Sequence, residues 1–79
     1  MLHLSENLTL RMRWNYGIAL YQNPRATLDD LREAVTTLED TTRIARRVFG
    51  GAHPLIEPID DDLQDARAAL RARETSGDA

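Results

Sequence analysis

Apolar residues recur along this chain at steps of three and four, the spacing that lines one face of an α-helix, while the strict alternation of a half-buried strand is scarce. Pro24, the pair Gly50-Gly51, and Pro54 with Pro58 break the pattern into three helical segments. In the first, Ser5 is suited to accept from the orphan amides of a helix over about residues 6–22, with Leu8, Met12, Tyr16 and Ala19 expected on the buried face. Gly17 lies inside that helix. Glycine there costs about 1 kcal/mol relative to alanine, which predicts that another helix backbone approaches closely at this position.

The second helix is expected over about residues 28–49. Thr27 is its N-cap, and Asp29 and Asp30 place negative charge at the positive end of the helix dipole. Leu28, Leu31, Val35, Leu38, Thr42, Ala45 and Phe49 form a continuous seam, and Arg43, Arg46 and Arg47 precede a left-handed stop at Gly50 or Gly51. The third helix, about residues 55–73, buries Leu55, Ile59, Leu63, Ala66 and Leu70, and Pro58 is tolerated only in its first turn. Connections this short force consecutive helices to run antiparallel. The expected fold is therefore all-α: three antiparallel helices in a single unit spanning 1–74, followed by a disordered tail over 75–79.

Composition narrows the chemistry. The chain has 79 residues and no cysteine, which excludes disulfides, thiolate metal sites and thiol catalysis. A chain of this size buries only about 60% of its unfolded surface, leaving little room for an enclosed active-site cleft beside a core. The net charge of −3 argues against a nonspecific binder of phosphate backbones. No cationic start followed by a long apolar run is present, so no secretory signal or membrane span is expected, and the chain is read as cytoplasmic.

Sliding the chain on itself by 47 residues aligns Leu8 with Leu55, Met12 with Ile59, Tyr16 with Leu63 and Ala19 with Ala66. The stretch from Arg32-Glu33-Ala34 through Leu38 to Ala45-Arg46-Arg47-Val48-Phe49-Gly50-Gly51-Ala52-His53-Pro54 resembles the end of a tetratricopeptide repeat of the kinesin light chain type, the Gly-x-x-His-Pro ending being its most specific part. Leu8-Thr9-Leu10 followed by Trp14-Asn15-Tyr16-Gly17 is similar to the first helix of that family. The resemblance spans about residues 5–73 and implies about one and a half repeats: a helical hairpin plus a capping helix that lacks the small residue needed for further stacking. It further implies a noncatalytic protein-protein interaction module that binds a peptide or partner helix on its first-helix face.

Carried over by position, that face presents Arg11, Trp14, Asn15 and Ile18, with Tyr21 at its edge. Trp14 would serve as an aromatic anchor, Asn15 as a holder of extended backbone and Arg11 as the mate of an acidic side chain. Such repeats need neighbours to cover their apolar faces, so a marginal monomer, a homodimer through the surface beside Trp14, Ile18 and Tyr21, or adjoining repeats is expected. No cofactor and no metal are implied. His53 lacks a nucleophile to activate and is read as a turn residue, and Asp60-Asp61-Asp62 lacks the glycine and glutamate of a calcium loop and is read as a solvated first turn. The alternative is a small three-helix nucleic-acid-binding regulatory protein. Its groove-reading helix would begin at Asp60 to Asp62, where negative charge repels phosphates.

Overall fold

The computed structural model describes the backbone of residues 2–77 and the side chains of residues 8–76. Three helices account for almost all of it: α1 (Leu2–Gln22), α2 (Leu28–Phe49) and α3 (Ile56–Gly77). The all-α expectation holds, with two differences at the ends. Helix α1 runs through Ser5, so that residue lies within the helix and not ahead of it. Helix α3 continues through Thr75 and Ser76 to Gly77, so the expected tail is helical over that part, while Asp78 and Ala79 lie outside the described residues. The Thr75 hydroxyl donates to the Arg71 carbonyl at 2.9 Å, a bond along the helix that accompanies the extension.

Helix α2 has the sharpest boundaries. The Thr27 hydroxyl accepts from the Asp30 amide at 3.1 Å, and the Asp30 carboxylate accepts from the Thr27 amide at 3.0 Å, a reciprocal capping box that satisfies two orphan donors. At the other end Gly50 adopts φ +87° and donates its amide to the Arg46 carbonyl at 2.9 Å. Positive φ is open to glycine without a Cβ clash, so the residue type ends the helix there. In the turn that follows, the His53 ring stacks on Phe49 with centroids 4.4 Å apart, and its Nδ1 accepts from the Leu55 amide at 3.1 Å. Pro58 sits in the first turn of α3, where a missing amide donor leaves no intrahelical bond unmade.

The core consists of two clusters joined by an indole. Leu10, Ala45, Ile56 and Ile59 form one, with Phe49 and Leu55 packed beside them. Ala34, Leu38, Leu63 and Ala66 form the other. Trp14 packs against both. Thr41 and Thr42 are buried with them, and their hydroxyls donate back to the Thr37 and Leu38 carbonyls at 2.7 and 2.8 Å, so no hydroxyl is stranded in the apolar layer.

Helix α2 is central: α1 and α3 each pack along it and touch one another sparingly. The Glu39–Arg67 and Arg32–Glu74 pairs join falling positions on α2 to rising positions on α3, the order expected of antiparallel neighbours. With both outer helices on α2 and little contact between them, the trio is open on that side, as a V with α2 at its apex.

Gly17 makes this packing achievable. A Cβ placed there would lie 2.8 Å from both Cγ and Cδ2 of Leu38, which is fully buried and has no space to yield. Gly17→Ala should therefore lower stability, because overpacking of about 1–3 kcal/mol outweighs the roughly 1 kcal/mol gain in helix propensity. Urea denaturation should show a lower midpoint, and adding Leu38→Ala should lower it by less than the sum of the two single changes.

Candidate functional site

Apolar side chains lie on both sides of α1. Leu10, Gly17 and, in part, Trp14 and Tyr21 face the other helices. Leu8, Met12 and Tyr16, expected from their spacing to be core, are instead 61%, 64% and 50% exposed, and Ala19 is exposed with them. At about 100° of rotation per residue, Gly17 stands roughly 140° around the helix from Met12, so a helix held against Gly17 necessarily turns the Leu8–Met12–Tyr16 stripe outward. The inner face is the one that admits close approach.

A carboxylate locks that orientation. Trp14 donates its Nε1 proton to Asp62 Oδ2 at 2.6 Å, and Tyr21 donates its hydroxyl to the other oxygen, Oδ1, at 2.7 Å. Asp62 thus bridges α3 to two residues seven apart on α1, about two turns, and so fixes the rotation of α1 about its own axis. Bonds to an ionised acceptor are roughly twice as strong as neutral ones. Partial burial, followed by the bond to Asp62, pushes the Tyr21 hydroxyl up to about 12.

Of the residues assigned to a partner-binding face, Trp14 and Tyr21 are therefore brought together on α3, Ile18 is half-buried, and Arg11 and Asn15 are exposed. The surface beside Trp14 and Tyr21 is occupied by the protein's own third helix. The available apolar surface is the opposite stripe, which sequence periodicity assigned to the interior. Gly17 was the signal for the correct face, because it cannot share a neighbour with Met12.

The stripe has a definite electrostatic frame. From Leu8 to Gln22 the chain carries Arg11 and Arg13 and no carboxylate. These two cations are exposed and stand about 100° to either side of Met12. Toward the C-terminal end, on the side of α2, the Tyr16 hydroxyl donates to Glu33 Oε2 at 2.6 Å. That bond, with some burial and the charges of Glu33 and Asp30, raises the pKa of the Tyr16 hydroxyl.

Elsewhere, a groove of about 490 Å³ between α2 and α3 is lined by Glu39, Asp40 and Asp60 together with Arg43, Arg46 and Arg67. Arg67 pairs with Glu39 at 2.8 Å and Arg43 pairs with Asp40, so opposite charges already face one another there. Among the described residues, no group of three or more His, Asp or Glu side chains is arranged to hold a metal ion, and no helix is long and apolar enough to cross a membrane. No family model matches the chain, and comparison with curated proteins and with solved structures finds no match.

Burial of the Tyr21 hydroxyl, with its bond to Asp62, makes folding pH-dependent at the alkaline end. Because the Tyr21 proton is held more tightly in the folded state than at the ordinary value of 10, its contribution to stability is complete below pH 10 and is lost as the pH rises toward about 12. Tyrosinate absorbance should show one late-titrating tyrosine with a midpoint near 12. In Asp62→Asn that midpoint should move down only partway, since burial is the larger cause.

Proposed function

We propose that this protein is a noncatalytic protein-protein interaction module, a tetratricopeptide-like helical hairpin with one following helix, which receives a helix of a protein partner on the outer face of α1. The observation that carries this reading is the exposed stripe of Leu8, Met12 and Tyr16, three large apolar side chains at four-residue intervals on one helix face. Such spacing matches the anchors by which an amphipathic helix is recognised. The helix pair, the His53-Pro54 turn and a third helix packed on α2 support the repeat-like layout. The contact residues of the proposal differ from those of a repeat's inner groove: Leu8, Met12 and Tyr16 form the centre, and Arg11, Asn15 and Arg13 the rim.

A protein partner fits the charge distribution better than a nucleic acid. The first turns of α3 expose Glu57 and Asp61 beside Asp60, and the chain is net negative, so phosphates gain little by approaching. A side chain that is mostly exposed contributes little to folding, so replacing it should separate binding from stability.

A synthetic amphipathic helix with leucines at four-residue spacing, titrated into isotope-labelled protein, should shift the amide resonances of α1 around Leu8 to Ala19. Met12→Glu should remove those shifts while leaving the urea midpoint within about 0.5 kcal/mol of the parent. Shifts confined to the groove between α2 and α3, or none at all, would overturn the proposal.

A further inference from the structure

We infer that the helix received on this face is α1 of a second copy, packed antiparallel about a two-fold axis that passes between Met12 and Tyr16. This rests on the reading of the outer face as an interaction surface, and it names the partner.

The stripe is complementary to itself in size. When two copies of α1 run in opposite directions with the axis near position 14, Met12 of each lies beside Tyr16 of the other, and Leu8 lies over Ala19. Large side chains meet a small one at both ends and fill the centre from both sides, the arrangement that lets facing helices interdigitate. Exposure of all four residues on one copy leaves that surface free for the contact.

The charges are also self-complementary. A two-fold axis perpendicular to both helices preserves sides, so the α2 flank of one copy abuts the α2 flank of the other. On that flank each copy carries Arg13, one residue from the two-fold axis, and Glu33, held by the Tyr16 hydroxyl. Reversing the helix direction sets the two Arg13 residues about 3 Å apart along the helix axis, and the Glu33 of each copy supplies the carboxylate that pairs with the Arg13 of its mate. Among the described residues neither Arg13 nor Glu33 makes an ion pair within its own chain. Arg11 lies on the opposite flank, and its symmetry mate stands about six residues further along the helix axis, roughly 9 Å away, where solvent screens the repulsion.

One helix face is smaller than the roughly 800 Å² per partner of a long-lived complex, so the dimer is reversible and concentration-dependent. The test is sedimentation equilibrium of the intact chain from micromolar to millimolar concentration, with circular dichroism and urea midpoints verifying that each variant folds. The parent should pass from monomer to dimer across that range, and Met12→Glu should remain monomeric. Arg13→Glu and Glu33→Arg should each weaken association by about tenfold, because symmetry doubles the change at a surface pair. The double variant Arg13→Glu with Glu33→Arg should recover most of the parent affinity. A dimer indifferent to Met12→Glu, or a double variant as weak as the singles, would overturn the two-fold pairing. A parent that stays monomeric throughout but still binds the amphipathic probe peptide on α1 would overturn this inference and leave the interaction module standing. Loss of both would remove the module as well.

Discussion

The close approach of Gly17 to Leu38 is the constraint from which the rest of this structure follows. Helix α1 carries apolar residues on two opposed faces, and burial of either would return a comparable transfer free energy, about 1.5–3 kcal/mol for each large side chain. Hydrophobicity alone therefore does not choose between them. Shape does: only one face contains a residue without a Cβ, and a buried leucine of α2 fills the space that the absent Cβ leaves. Once that contact forms, Leu10 and Trp14 enter the core, and Leu8, Met12 and Tyr16 are carried to the surface.

Asp62 completes the choice by giving the inner face's polar atoms an acceptor. Trp14 and Tyr21 each bring a large apolar body with one donor at its tip, and a donor buried without a partner would oppose the packing by about 1–3 kcal/mol. The two oxygens of one carboxylate serve both. The same contact spans the opening of the V, where α1 and α3 otherwise touch little, so a single aspartate links the two arms that α2 holds only at the apex. Its neighbours Asp60 and Asp61 have no such task, which distinguishes the third member of an acidic run that looks uniform in sequence.

Much of the fold was legible because local signals agreed. The Thr27 cap, the seam from Leu28 to Phe49 and the stop at Gly50 define α2 within a residue, since each rests on backbone chemistry that neighbours cannot override. On α3 the expected Ile59, Leu63 and Ala66 are buried, but Ile56 joins them while Leu55 and Leu70 are only half-buried. The candidate site was not legible from periodicity. Spacing identifies a face as apolar without saying whether it looks inward, and α1 supplied two such faces. The internal match at 47 residues compounded this, since it aligns exposed Met12 and Tyr16 with buried Ile59 and Leu63. Combining the stripe with the steric meaning of Gly17 would have assigned the faces correctly; the Asp62 bridge joins residues 41 and 48 positions apart, and no local signal encodes it.

The exposed stripe and the thin core are two aspects of one problem. Three helices in an open V cannot cover the outer face of an arm, because every helix surface that could do so is already committed to α2. Closing the V would not help either, since it would bring α3 toward the inner side of α1 and leave Met12 where it is. Any cover for the stripe would have to come from outside the three-helix unit. A self-complementary face fits this need with the fewest elements, since one copy supplies both the surface and its mate, and whatever binds the folded chain but not the unfolded one raises its stability by mass action. Folding and association would then be coupled through α1: the contact that admits Leu38 beside Gly17 presents the stripe, and occupation of the stripe favours the state in which that contact is made.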